Sequence, residues 1–428
     1  MSPIVYLHEN HLRDLYRDLP KNGRPAERVA FGWDDLSVFH VYADTPKVRP
    51  AGLPVRCQLS ALPQGTSVDD RREDAEKNLD VLSAQYGMSL CMSLDDENIL
   101  EHTCLVQKPE KKRLLADVRF IPEKSELYSR SRGLLETDVL SDKTVLIVGV
   151  GSGGSYIATE LARAGVGGFA ILDFDRLELS NVARHVCGIN DLGRYKTLAI
   201  QDKIWQINPH ANIQTFEVDI NNHKDHLSQL SEGADLLICA SDNDRSRFNV
   251  NEVSVYTRTP ALFGRVITRA AGGDVLRVRP CDGPCYNCLF SQDVRGGQEE
   301  ASQLRQLRRD APDYTNEEDL HAQIQVGLSS DIAPISNMVT KLALVELSRG
   351  TDSGISSLES DFASDFYIWG NRRETIYKKW PPMKYKYDQP SILRWYGARV
   401  KKDSHCPVCG TVQEESPLGR NDNEDPFI

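Results

Sequence analysis

No apolar run in this chain approaches the roughly 20 residues needed to cross a bilayer. The N-terminus, Met1-Ser-Pro-Ile-Val-Tyr-Leu-His-Glu-Asn10, lacks the basic start and apolar stretch of a signal peptide. Both absences lead to the expectation of a cytoplasmic protein with no membrane partner. Positive charge is also in deficit: 51 Lys and Arg stand against 62 Asp and Glu, a formal net charge of -11. That balance argues against nucleic acid or an anionic membrane as the main partner and favours protein or small-molecule partners. No internal repeat is present. Without an export signal, the ten cysteines are better read as metal ligands, nucleophiles or buried thiols than as a disulfide framework.

What is present is enough for one large α/β domain plus a smaller accessory one: 428 residues, 40% of them hydrophobic. Residues 1–125 mix short apolar runs with Pro/Gly punctuation around a charged, helix-permissive segment, Asp69 to Leu82. They carry no motif that can be tied to chemistry. Residues 126–410 alternate short apolar strands with helical patterns, as a doubly wound sheet requires. Residues 411–428 hold five acidic residues against one arginine and almost nothing apolar, the composition of a disordered tail.

The strongest local pattern is Lys143-Thr-Val-Leu-Ile-Val-Gly149, a buried strand running into Gly149-Val-Gly151-Ser-Gly153-Gly154 and a helix expected from Ser155 to about Ala164. Glycines at these positions let backbone N–H groups approach phosphate at the positive end of a helix. A second strand, Gly168 to Asp173, ends in an acid where a dinucleotide-type fold places a carboxylate on ribose hydroxyls. Together these features indicate a nucleotide, against the competing reading of a purely structural turn.

The residues after Asp173 separate ATP from a redox cofactor. Asp173-Phe-Asp175 leads into Ser180-Asn181-Val-Ala-Arg184-His185 and then Gly193-Arg-Tyr-Lys196. Adenylyl transfer builds negative charge on the α-phosphate and the pyrophosphate leaving group, and Arg184 and Lys196 suit its stabilisation. Singly, each would read as a surface charge. Farther on, the strand Ala234 to Ala240 ends in Ser241-Asp242-Asn243 at the carboxyl edge where open α/β sheets bind ligands. A carboxylate there can hold magnesium, or the pair can cap the following helix. Cys285-Tyr-Asn-Cys288 and Cys406-Pro-Val-Cys409 are two C-x-x-C knuckles. Four thiolates close a tetrahedral zinc site with no position left for water, so the expected zinc is structural and pins the C-terminal segment to the domain.

With these motifs in order, the sequence from about Tyr128 to Gly410 resembles the ThiF/MoeB-type adenylyltransferases related to ubiquitin-activating enzymes. The resemblance implies a Rossmann-like, doubly wound mixed sheet with a structural zinc site. It also implies ATP bound at Gly149, Gly151, Gly153 and Gly154. Asp173 would bind ribose, Asn181, Arg184 and Lys196 would contact the phosphates, Asp242 would hold magnesium, and Asp175 and Asn243 would belong to the nucleotide site. An arginine just before the first strand would reach across a homodimer to the partner's ATP; Arg130 is the choice for it, with Arg132 as the neighbouring candidate. The implied reaction is adenylation of the C-terminal carboxylate of a ubiquitin-like protein, with a ubiquitin-conjugating-type acceptor as a further partner; the alternatives are modification of a short peptide without an enzyme thioester, or a non-catalytic nucleotide-binding scaffold.

One departure limits the resemblance. Relatives that form a thioester usually carry a cysteine in the crossover loop, here about residues 291–328, yet Leu289 to His405 contains none. Cys187 could be activated by nearby cations, although a buried structural thiol is the preferred reading. Cys239 is expected to be packed. His185, His210 and His405 have no metal or acid–base spacing. Phe366-Tyr-Ile-Trp-Gly and Leu393-Arg-Trp-Tyr-Gly read as strands near the second knuckle, and Asp331 to Leu347 as a helix packed on the sheet.

Overall fold

A computed structural model describes residues 2–8, 16–17, 19–20, 24–33, 37–41, 52–82, 84, 86–97, 99–121, 127–131, 133–135, 137–290, 327–374, 377–378 and 391–410. The crossover loop up to residue 326, Arg132 and the tail 411–428 lie outside the described residues. The chain divides into two compact units, Met1–Arg130 and Ser131–Ile428.

The first unit is a mixed eight-stranded sheet. Its strands are β1 (Ile4–His8), β2 (Ala26–Trp33), β3 (Val38–Val41), β4 (Leu53–Ala61), β5 (Gly87–Leu94), β6 (Leu100–Lys108), β7 (Lys112–Leu115) and β8 (Asp117–Ile121). They lie in the order β7-β6-β5-β4-β2-β3-β1-β8. The charged segment read as helix-permissive is α1 (Val68–Leu82). Ser67 starts it, its Oγ accepting from the Asp70 amide at 3.1 Å. Ala75, Leu79 and Leu82 then fall on one face and pack on Leu62, Cys91 and Leu105 of the sheet side. The charge on this helix conceals a buried arginine: Arg71 donates to Thr66 O and Ser93 Oγ and pairs with Glu101, which satisfies much of a guanidinium that is 2% exposed.

The second unit holds β9 (Thr144–Val148), β10 (Gly168–Leu172), β11 (Asn212–Phe216), β12 (Leu236–Cys239), β13 (Ala261–Val266), β14 (Gly272–Val278), β15 (Phe366–Gly370) and β16 (Trp395–Ala398). They form one sheet ordered β11-β10-β9-β12-β13-β14-β15-β16. β11 to β13 run parallel and the last three join antiparallel, so the sheet is mixed. The two aromatic segments read as strands are β15 and β16. The helices are α2 (Thr137–Ser141), α3 (Ser152–Ala164), α4 (Lys196–Ile207), α5 (Lys224–Glu232), α6 (Asp244–Thr257), α7 (Tyr286–Phe290) and α8 (Ser329–Leu347).

Every residue of β10 and β12 is buried, because helices cover both faces of the sheet. Val145 and Ile147 of β9 join the core with Ile157 and Leu161 of α3, Ile200 of α4 and Val339 of α8. Their alternates Leu146 and Val148 face Leu227 of α5 and Val250 of α6. This is a Rossmann-like doubly wound α/β fold, as the strand–helix alternation predicts. α3 begins three residues earlier than glycine's poor helix propensity suggests. Gly153 and Gly154 lie in its first turn, where backbone approach outweighs propensity. A Cβ on Gly154 would sit 1.9 Å from Gly149 O.

Candidate active site

The chain passes from β9 to β10 on one side and to β12 on the other, so the carboxyl ends of β9 and β12 diverge at a topological switch point, where open α/β sheets form their ligand crevice. A cleft of about 340 Å³ opens there. Gly149, Gly151, Gly153, Asp173, Asp175, Arg184, Lys196, Asp242 and Asn243 all line it. Gly154 and Asn181 do not. Gly154 serves the close approach of α3 to the turn, and Asn181 Oδ1 accepts from the Glu178 amide at 3.0 Å within a capping box.

The glycine turn is shaped for an anion. Gly149 has φ 85°, a left-handed conformation that favours glycine, and a Cβ there would meet Ser241 N at 2.9 Å. Gly151 is the N-cap of α3 and no side chain caps the helix. A Cβ built on Gly151 meets nothing within 4 Å. An uncapped helix N-terminus open to the cleft fits phosphate.

Opposite the turn, residues 175–177 pair with 193–196 through Leu177 N to Arg194 O and Lys196 N to Asp175 O. Arg176 stacks 3.8 Å over the Tyr195 ring. This brings Lys196 Nζ to 2.7 Å from Asp175 Oδ2. Asp173 Oδ2 accepts from the Val150 amide at 2.8 Å and Oδ1 from the Asp175 amide at 2.9 Å. Burial pushes its carboxyl above the usual range, while Lys196 and the two amides pull it back. Both oxygens keep a lone pair for further donors.

At the end of β12, Asp242 is exposed in the cleft and its chemistry fits a hard cation. Asn243 is the N-cap of α6, its Oδ1 accepting from Ser246 N at 2.8 Å, so the capping reading describes this residue. Arg247, which sequence reasoning missed, lines the same cleft. It donates to Ser241 O at 2.8 Å and to Asp244 Oδ1 at 2.7 Å, bracing the turn that carries Asp242. Ser152, Asp219 and Ser336 also line the cleft and were likewise missed. The i,i+3 spacing of Asp244 and Arg247 was the one local signal for any of these.

Arg130 is exposed on the short turn Ser129–Ser131 and is the last residue of the first unit. Cys187 is 2% exposed, and burial raises its thiol to about 12, which fits a packed thiol rather than a nucleophile. Cys239 is fully buried.

Cys285, Cys288, Cys406 and Cys409 converge although 121 residues separate the matched members of the two knuckles. Their sulfurs lie within 4.8 Å of one another. The contacts of 3.4, 3.6 and 3.9 Å match the edges of a tetrahedron with metal–sulfur bonds of about 2.3 Å. The four residues fit zinc. No described helix is long and apolar enough to cross a membrane.

The chain is 32% identical over 169 residues to an adenylyltransferase and sulfurtransferase MOCS3 of Anopheles gambiae, covering 38% of this chain and 37% of that protein. It is 30% identical over 183 residues to a sulfur carrier protein adenylyltransferase of Thermus thermophilus, covering 40% and 66%. The chain therefore spans less than two thirds of the length of either. A solved structure of Escherichia coli MccB aligns with TM-score 0.47 at 16% identity over 65% of this chain and 68% of that one. The ThiF family model matches residues 124–371, more than half of the sequence, and the chain belongs to the ThiF family.

Proposed function

We propose that this protein uses ATP and magnesium to adenylate the C-terminal carboxylate of a small ubiquitin-like protein. The observation that carries the reading is the single cleft in which an uncapped helix N-terminus, Arg184, Lys196, Asp173 and Asp242 meet. A carboxylate oxygen of the substrate attacks the α-phosphorus, the bond to the bridging oxygen breaks, and acyl-adenylate and pyrophosphate result. No proton needs to move, so the protein's task is positioning and charge stabilisation. The first-turn amides of α3 with Arg184 and Lys196 face the phosphates, and Asp173 faces ribose. Asp242 holds magnesium, which neutralises phosphate charge when bound.

The protein substrate is supported by the likeness to the Thermus thermophilus sulfur carrier protein adenylyltransferase. The absence of cysteine from Leu289 to His405 favours a second reading of the later step. In it, the adenylate is passed directly to a partner's nucleophile, or the substrate is a short peptide modified without an enzyme thioester. In our reading Arg130 reaches the ATP of a second copy in a homodimer, the bound metal at the four cysteines is zinc, and the reaction draws on the ATP of the cytoplasm. Exchange of labelled pyrophosphate into ATP, dependent on both magnesium and a candidate carboxylate substrate, tests the reaction. Lack of exchange with every ubiquitin-like protein and peptide encoded nearby would remove it. Intact mass with and without thiol then reads out any acyl group on the enzyme.

A further inference from the structure

The turn between β9 and α3 contains one residue that is not glycine before Ser152, and its peptide groups are held from both sides. The Val150 amide donates to Asp173 Oδ2 at 2.8 Å. The Val150 carbonyl meets His185 Nε2 at 2.8 Å. On the other edge of the same imidazole, the Cys187 amide donates to Nδ1 at 3.0 Å. A backbone N–H can only donate and a carbonyl can only accept. These two contacts therefore fix the tautomer: Nδ1 is bare, Nε2 carries the proton, and the ring is neutral.

His185 is one residue after Arg184, and the amides of both donate to Asn181 O at 2.9 Å. The imidazole thus staples the turn carrying Arg184 to the turn whose glycines open on the cleft, across 35 residues of sequence. We propose that His185 is a positioning residue for ATP in this protein: as a neutral Nε2–H imidazole it sets Arg184 against the glycine turn, and its protonation releases that register and switches the site off. The proposal rests on the adenylation reading given above.

Protonation would turn Nδ1 from an acceptor into a donor facing the Cys187 N–H, so one of the two hydrogen bonds must break. The charged groups around the ring act in opposite senses. Burial is the largest influence holding the imidazole below its ordinary value, and Lys196 on α4 acts the same way; the Val150 carbonyl and Asp191 act against them. The ring is 8% exposed and lines a pocket of about 140 Å³ with Arg184, Ser152, Tyr156 of α3 and Ser329 and Ser336 of α8, which gives a proton a route to it. Because the folded protein disfavours the charged form, the staple is intact above the ordinary histidine range and is lost as pH falls below it.

The test uses the full chain with ATP and magnesium and two variants. A glutamine amide offers one donor and one acceptor without titrating, so H185Q is expected to keep pyrophosphate exchange within about threefold of wild type at pH 8 and to lose the acid limb that wild type shows below the ordinary histidine range. H185L, which can do neither, is expected to raise KM for ATP or lower kcat by about 10- to 100-fold. Nitrogen-15 shifts of the histidines, with His185 assigned by its absence in H185Q, are expected to show a protonated Nε2 and a bare Nδ1. A protonated Nδ1 at neutral pH, an unchanged acid limb in H185Q, or an H185L enzyme equal to wild type each overturns the proposal. If no variant exchanges pyrophosphate with any substrate, the adenylation reading falls. The tautomer and the ATP-induced thermal shift, expected in wild type and H185Q but not in H185L, then decide the role of His185 alone.

Discussion

Lys196 Nζ stands 2.7 Å from Asp175 Oδ2, and the two backbones are joined as well by Lys196 N to Asp175 O. The lysine is 9% exposed, so its charge is fixed at one place on the cleft wall by a partner that is itself half-exposed. Charge held in advance where negative charge develops stabilises a transition state without reorganisation. Replacing Lys196 with Ala is expected to lower kcat for pyrophosphate exchange by about 10²- to 10³-fold, with a smaller rise in KM for ATP. Steady-state kinetics check this, and a K196A enzyme within threefold of wild type excludes the assigned role.

Asp175 pairs with Lys196, whereas among the described residues no lysine or arginine pairs with Asp242, which lies at the open carboxyl end of β12. Asp242→Asn keeps the shape and removes the charge that would hold magnesium. The expected outcome is a magnesium requirement shifted upward by about tenfold or more. ATP-independent stability should change little, since Arg247 still braces the Ser241 carbonyl. Magnesium titrations of exchange, beside melting curves without nucleotide, separate the two effects.

Much of the cleft was legible because its parts are local in sequence. A buried strand, a glycine turn and a helix fix one end of the cleft, and Asp173, Arg184, Lys196 and Asp242 follow at strand ends and turns. His185 and Arg247 were not legible. Their roles consist of hydrogen bonds to Val150 and to the Ser241 carbonyl, and no residue spacing announces which carbonyl a side chain will reach. The start of α3 was misjudged for a related reason: propensity penalises Gly153 and Gly154, while the close approach of Gly149 O to α3 leaves no room for anything else at 154. The sheet of the first unit carries no motif, and only its helix α1 was visible as a charged segment.

The glycine turn makes a paired prediction. Gly154→Ala places a methyl on Gly149 O, where backbone must move, and is expected to cost about 1 to 3 kcal/mol of stability. Gly151→Ala meets open space at a φ of -67° that any residue adopts. The G151A protein should fold with nearly the wild-type Tm and still lose ATP affinity, because the methyl occupies the approach to the helix N-terminus. Thermal unfolding with and without ATP distinguishes them, and equal Tm losses in both variants would show that the turn is structural only.

The four cysteines connect chemistry to the C-terminal segment. Cys285, Tyr286 and Cys406 are packed in the core under β13 and β14, with Cys288, Val408 and Cys409 against it. A metal there ties residues 401–410 to the sheet through Cys406 and Cys409. Freshly purified protein is expected to carry one zinc per chain by elemental analysis. Cys288→Ser should lose that zinc, lower the Tm and open the segment near Lys401 and Lys402 to trypsin, since binding free energy at a closed thiolate site is folding free energy. The residues assigned to the nucleotide lie at the ends of β9, β10 and β12 and in the turns that follow them, so ATP-induced stabilisation of the mutant should persist at temperatures where it remains folded. If ATP protection were lost together with the zinc while the fold survived, the metal would be acting on the nucleotide site and the purely structural role would be wrong.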